Sequence, residues 1–204
     1  MAQQVQRMVA FDLEGVLFPE IWPHLAEIYD INALRTTTRD VSNYEDLMNS
    51  RINALRANKI GFSSIASEIA KLDPLPGAKT LLNELRNSFP VLILSDTFEQ
   101  FAQIISYKLD HPTILCHRLI IENDEIAGFK LRLQDQKRAT VEAFQRLNYN
   151  VVAIGDSFND LAMLHAANTG LLMNPPENIR ATHPIFPSFD SLNDLSLHLK
   201  TILV

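Results

Sequence analysis

Residues 8–16 read MVAFDLEGV: four apolar residues, then Asp12, then Leu13, Glu14, Gly15 and Val16. Three further segments repeat the design downstream. Val91 to Leu94 leads to Ser95 and Asp96, Val151 to Ile154 leads to Gly155 and Asp156, and Gly170 to Met173 is a fourth apolar run. Short, continuously apolar runs separated by helical patterns read as strands buried on both faces of a parallel sheet. The stretches Ala78 to Asn87, Lys137 to Leu147 and Asn159 to Ala167 carry apolar positions at helical spacing, which predicts an α/β fold with a mostly parallel sheet.

Two stretches interrupt the alternation. Between the first run and Gly77 the chain offers helical patterns, Tyr44 to Asn58 and Ser63 to Leu72 among them, and no convincing strand. Phe18-Pro19 and Pro74-Leu75-Pro76-Gly77 are natural joints at its ends. The expected division is therefore a core of residues 1–18 and 77–204, with a small helical insert over 19–76. The second interruption, Arg118 to Leu133, predicts a hairpin turning at Glu122-Asn123-Asp124-Glu125.

At 204 residues the chain can build one good core with a modest insert. A formal charge of -6 gives no reason to expect a nucleic-acid partner. No apolar run approaches the ~20 residues of a membrane span. The polar opening MAQQVQR has no secretory pattern, and a single cysteine, Cys116, excludes an internal disulfide, so a cytoplasmic setting is expected.

Ligands of open α/β sheets bind beyond the carboxyl ends of the strands. There the sequence places Asp12 and Glu14, Ser95 and Asp96, and Asp156 and Asp160, with Lys137 at the mouth of a helix. Packed carboxylates repel one another, and a divalent cation is the usual remedy. Each group suits phosphoryl transfer. A carboxylate such as Asp12 can attack phosphorus, splitting one hard displacement into two. Mg²⁺ would take oxygen ligands from Asp12, Asp156 and a main-chain carbonyl near Glu14. Ser95 and Lys137 would hold phosphoryl oxygens as they gain charge. Glu14 would give a proton to the leaving alcohol and take one from water.

These strings match, in order, the four motifs of the haloacid dehalogenase superfamily phosphatases: Asp12-Leu13-Glu14-Gly15-Val16, Ser95 after VLIL, Lys137, and Gly155-Asp156-Ser157-Phe158-Asn159-Asp160. Within that superfamily the chain resembles the phosphoserine phosphatase branch. It is most similar to bacterial phosphoserine phosphatase/homoserine phosphotransferase proteins, sharing the strings DLEGVL-PEIW, TTRD, LSDTF and GDS-ND. The resemblance implies a Rossmann-like core, a helical cap after the first strand, Mg²⁺, Asp12 as nucleophile, and metal contacts from Asp12, Glu14, Asp156 and Asp160. Asp160 is expected to hold metal-bound water or to orient Lys137, and Asn159 to lie by the phosphate. L-phosphoserine is the implied substrate, L-homoserine an acceptor, and a homodimer the implied assembly. Two positions depart from the wider family. Glu14 stands where aspartate is usual, and Asp96 follows Ser95 where glycine is usual, narrowing the pocket; the homoserine phosphotransferases share both.

The helical insert adds an independent clue. In Tyr44 to Asn58 the apolar stripe is Leu47, Met48, Ile52 and Leu55, and Arg51 falls within it. An inward guanidinium needs an anion, and a substrate carboxylate suits its fork. The resemblance agrees, placing Arg51 on the amino-acid carboxylate and Glu20 toward the ammonium. Trp22, Phe158 and Cys116 read as packing residues, Asp96 also reads as a helix cap, and none of the six histidines is assigned a role. Another small phosphomonoester is the competing substrate. A receiver domain would place its acids differently and lack the insert, and a dehalogenase would not need the full set of metal-type carboxylates.

Overall fold

The computed structural model describes residues 5–37 and 43–203. Thr38 to Asp40, most of the TTRD string, lie outside the described residues. The first strand, β1 (Gln6–Phe11), is followed by α1 (Ile21–Tyr29), α2 (Asn32–Arg35), α3 (Tyr44–Ala57) and α4 (Phe62–Ile69). Next come α5 (Ala78–Arg86), β2 (Val91–Phe98), α6 (Glu99–Ile105), β3 (Ile114–Glu122) and β4 (Glu125–Lys130). The remainder runs α7 (Gln136–Arg146), β5 (Tyr149–Gly155), α8 (Leu161–Ala166), β6 (Thr169–Met173), α9 (Glu177–Thr182), β7 (Ser188–Phe189) and α10 (Leu192–Ile202).

The described residues form one seven-stranded sheet in the order β4-β3-β2-β1-β5-β6-β7. Only the β3–β4 pair is antiparallel. β1 pairs with β2 on one side (Phe11 opposite Ile93) and with β5 on the other (Phe11 opposite Ile154). The chain steps outward from β1 through β2, β3 and β4, then crosses back to β5 on the other side of β1, so the sheet's switch point, where ligands gather, lies at the end of β1. Met8, Val9, Ala10 and Phe11 are all buried, as a central parallel strand requires.

Two expectations about strand ends change. The apolar run of β2 stops at Leu94, but the strand continues through Ser95 and Asp96 to Phe98. Its register against β3 breaks between Leu94 and Phe98, so Ser95 to Thr97 sit in an irregular stretch and not beyond a strand end. β3 begins at Ile114, before the expected hairpin, because its first half pairs in parallel with β2 and only its second half belongs to the hairpin.

The insert contains helices and no strand among the described residues. Asn43 caps α3 by accepting from the backbone N–H groups of Glu45 and Asp46 at 2.9 and 3.4 Å. The cap of α4 comes from elsewhere. Asp124, in the left-handed hairpin turn with Asn123, accepts from the Phe62 N–H through its carbonyl at 2.6 Å and from the Ser63 N–H through its carboxylate at 2.8 Å. The hairpin thereby holds the N-terminus of a helix 61 residues away. Aromatic packing joins the same parts: Phe101 of α6 meets Trp22 edge-on at 5.7 Å, stacks on Phe62 at 6.4 Å and meets Phe98 edge-on at 5.8 Å. Phe101→Ala should therefore cost about 3–5 kcal/mol in denaturant unfolding; a loss below about 1 kcal/mol would show that this cluster does not bind the insert to the sheet.

Candidate active site

Asp12 directly follows β1, and its backbone N–H donates to the carbonyl of Ile154 at 2.8 Å, tying it to β5. Asp156 follows β5. Gly15 (φ +80°) makes room between them: a Cβ there would come 2.4 Å from an Asp156 carboxylate oxygen. Gly155 has the matching constraint, since a Cβ would meet that of Asp160 at 2.4 Å. Each glycine thus lets two acidic segments approach more closely than any side chain would permit.

Lys137, in the first turn of α7, reaches into this acidic corner. Its ammonium lies 2.9 Å from Asp12 Oδ1, 2.8 Å from Asp160 Oδ1 and 3.7 Å from Asp96 Oδ2. Burial alone would disfavour its charge, yet Asp12, Asp160 and Asp96 outweigh that and hold the ammonium protonated. Asp160 is wholly buried; its second oxygen accepts from the backbone N–H groups of Asp156 and Ser157 at 3.0 and 3.1 Å. It therefore contacts both the Lys137 ammonium and the turn that carries Asp156.

Carboxylate oxygens of Asp12, Asp156 and Asp160 lie within 4.8 Å of one another. Burial raises the Asp12 carboxyl well above its usual range, with Asp160 and Asp156 adding repulsion that Lys137 only partly relieves. Burial, Asp160 and Glu20 push Asp156 up to about 7. Buried Asp156 Oδ1 has no hydrogen-bond partner among the described residues. An all-oxygen group with an orphaned, inward carboxylate oxygen and excess negative charge fits a hard divalent cation. The Glu14 carboxylate is not in this group; one of its oxygens accepts from the Ile21 N–H at 2.8 Å. Burial and the neighbouring Glu20 raise Glu14 to about 7, the range for moving a proton near neutrality.

A cavity of about 380 Å³ opens over these groups, lined on the sheet side by Asp12, Glu14, Ser95, Asp96, Lys137 and Asn159. Asp156 and Glu20 also line it, Glu20 from the exposed start of α1, whereas Asp160 stays behind the wall. The insert supplies Trp22, Tyr44 and Arg51. Arg51 is 6 % exposed, with its guanidinium 4.7 Å above the Trp22 ring. One terminal nitrogen donates to the Thr36 carbonyl at 2.7 Å, and Nε has no partner among the described residues. Burial lowers Arg51 to about 10, so it remains charged near neutrality. The inward guanidinium expected from the stripe is present, and its two terminal nitrogens donate to the Met48 sulfur and the Thr36 carbonyl.

Three expectations need correction or addition. Phe158 is 42 % exposed at the rim of an adjoining cavity and is not a packing residue, because it sits on a 3₁₀ turn facing outward. Trp22 packs, but as the platform under Arg51. Asp96 caps no helix: α6 starts after Phe98, and the Asp96 carboxylate instead faces Lys137, Asn159, Gln136 and His117. His117, Gln136 and Tyr44 had no signal in the sequence, since single polar residues within a strand or at a helix start carry no spacing pattern. Cys116 is buried as expected, and burial pushes its thiol up to about 12.

The fold and this arrangement define a haloacid dehalogenase-like hydrolase: the profile of that family matches residues 6–168, and the chain belongs to it. Among characterised relatives, it is 44 % identical over 189 residues to Phosphoserine phosphatase ThrH of Pseudomonas aeruginosa, covering 92 % of each chain. It is 43 % identical to Phosphoserine phosphatase of Pseudomonas syringae pv. tomato, over 92 % of this chain and 80 % of that one. A solved phospho-aspartyl intermediate analogue of a phosphoserine phosphatase superposes with a TM-score of 0.80 at 18 % identity, covering 96 % and 99 % of the two chains, a likeness of fold.

No helix among the described residues is long and apolar enough to cross a membrane. The acidic group predicts a measurable response to metal. Adding Mg²⁺ should raise the thermal midpoint of the native protein, by linkage of binding to folding, and leave Asp156→Ala nearly unmoved. Equal shifts in both proteins would place the cation elsewhere.

Proposed function

We propose that this protein is an Mg²⁺-dependent phosphoserine phosphatase that works through an aspartyl phosphate on Asp12 and can pass the phosphoryl group to L-homoserine as well as to water. The observation that carries the reading is the pairing of two sites across one cavity. A buried nucleophile-type carboxylate with a lysine lies on one side, and a buried guanidinium with an unused N–H on the other. A small molecule bearing a phosphate at one end and a carboxylate at the other satisfies both. The relatives named phosphoserine phosphatase, at 43–44 % identity over nearly the whole chain, support the same substrate.

In this mechanism Arg51 binds the substrate carboxylate through its fork, which Trp22 holds from below. Glu20, at the cavity mouth, faces the ammonium. Ser95 and Lys137 hold phosphoryl oxygens, and Asn159 lies beside them. Asp12 and Asp156, backed by Asp160, would hold Mg²⁺; bound there, the ion would neutralise repulsion between the nucleophile and the phosphate. A carboxylate oxygen of Asp12 bonds to phosphorus as the bond to the serine oxygen breaks, and protonated Glu14 gives its proton to that oxygen. Glu14, now a carboxylate, takes a proton from water as the water oxygen attacks phosphorus and the bond to Asp12 breaks. Homoserine's hydroxyl replaces water in the transfer branch. Glu14 accepts from Ile21 at the start of α1, so the proton-moving group is linked to the helical insert. We take residues 19–76 as a cap that excludes bulk water in closing. A cytoplasmic homodimer is the setting we propose from the resemblance.

Two substitutions test the reading with L-phosphoserine and an aryl phosphate. Asp12→Asn should abolish phosphate release from both; release at the native rate would remove Asp12 from the chemistry. Arg51→Ala should raise KM for phosphoserine by about 10- to 150-fold, the worth of a charged hydrogen-bond pair, with little effect on the aryl phosphate. Equal effects on both compounds would favour a phosphomonoester lacking a carboxylate. Phosphohomoserine formed when L-homoserine is added would establish the transfer branch, and its absence would confine the enzyme to hydrolysis.

A further inference from the structure

We propose that His117 is a positioning residue of this active site, acting through Asp96 on Asn159 and Lys137. It builds on the reading of the cavity above but rests on its own geometry. His117 lies on β3 opposite Phe98, beside the irregular stretch of β2, and is 4 % exposed. Its ring is wedged against Tyr44, edge-on at 5.6 Å, and tilted against Phe98 at 6.3 Å.

The hydrogen bonds determine where its proton lies. Nδ1 accepts the backbone N–H of Arg132 at 3.2 Å, so in the neutral ring the proton is on Nε2. Nε2 faces two atoms: Asp96 Oδ1 at 3.5 Å and Gln136 Nε2 at 3.4 Å. The orientation of Gln136 is fixed independently. Its oxygen accepts from Arg132 Nε at 2.9 Å, and its nitrogen donates to the Ser95 carbonyl at 2.6 Å and to Asp96 Oδ1 at 3.2 Å. Two N–H donors cannot bond one another, so the His117 proton is directed at Asp96. Arg132 is itself anchored by donating to Thr140 at 2.7 Å.

Asp96 Oδ1 thus faces two buried donors, His117 and Gln136, which turns Oδ2 toward the cavity. There it accepts from Asn159 Nδ2 at 3.3 Å and lies 3.7 Å from the Lys137 ammonium. The other end of the Asn159 amide accepts from the Ser157 hydroxyl, so its orientation is set at both ends. Burial would raise the Asp96 carboxyl, but Lys137, His117 and Gln136 outweigh it and hold Asp96 ionised, below the usual carboxylate range. An anion beside a phosphate site is a liability unless it has a task. Its task here is to align Asn159 and to balance the third side of Lys137, whose other two contacts are Asp12 and Asp160. His117 keeps the carboxylate from rotating out of that alignment.

The test compares His117→Phe, which keeps the ring packing without nitrogens, with His117→Gln, whose amide restores a donor near the Nε2 position. For whichever phosphomonoester the native enzyme turns over, His117→Phe should lower kcat roughly tenfold while KM changes much less, as expected when bound groups lose alignment. His117→Gln should recover most of that loss. The double variant His117→Phe/Asp96→Asn should be no slower than Asp96→Asn alone, because both act through one carboxylate. Native kcat in His117→Phe, or losses that simply add, would overturn the proposal. A second readout needs no turnover: the Asn159 side-chain amide protons should exchange with solvent faster in His117→Phe than in the native protein. Unchanged exchange would also overturn it. A native protein inactive on every phosphomonoester would instead count against the function proposed above and leave the exchange measurement to judge His117.

Discussion

The site depends on a buried ammonium group held among carboxylates. Lys137 lies within 2.9 Å of both Asp12 and Asp160 and draws Asp96 to its third side. Removing either partner of such a contact would leave an uncompensated buried charge, which costs several kcal/mol. The contact joins the end of β1, the irregular stretch of β2 and the turn after β5 to the start of α7, pinning the strands that flank the switch point of the sheet. It leaves the local charge negative even so, and that deficit makes the corner suited to a divalent cation and, with it, a phosphate.

The geometry around this contact follows from steric constraint. Gly15 and Gly155 allow the Asp12 and Asp160 segments to crowd Asp156, and Asp160 uses its second oxygen to hold the turn in place. On the opposite wall, the insert delivers Arg51 and Tyr44 from the same face of α3, two turns apart. Arg51 rests on Trp22, and the Tyr44 hydroxyl donates to the Asp96 carbonyl at 2.9 Å. The cavity is thus closed by contacts between the insert and the groups beneath it. The Asp124 cap on α4 and the aromatic cluster around Phe101 hold the insert at its far side.

Sequence and structure agree where chemistry and periodicity coincide. Apolar runs ending on acidic residues marked β1 and β5 because a strand buried on both faces leaves no room for polar alternation. Arg51 was legible because a charge inside an apolar helical stripe breaks a strong pattern. The end of β2 is not legible in the apolar run, since a strand can continue past it when the residues beyond, Ser95 to Thr97, bond within a site. Apolarity at Phe158 does not reveal that its 3₁₀ turn faces outward. His117 and Gln136 were invisible: their roles arise from the register of β3 against β2 and the packing of α7, and no spacing along the chain encodes either.

The central claim is that Asp12 carries the phosphoryl group. The most direct measurement is rapid acid quenching of the enzyme during turnover of ³²P-labelled L-phosphoserine, followed by peptide mapping. The account predicts an alkali-labile, hydroxylamine-sensitive label on the peptide containing Asp12, absent from Asp12→Asn and formed no more slowly than phosphate is released. Burst release of phosphate with no protein-bound label, or a label on another residue, would contradict it.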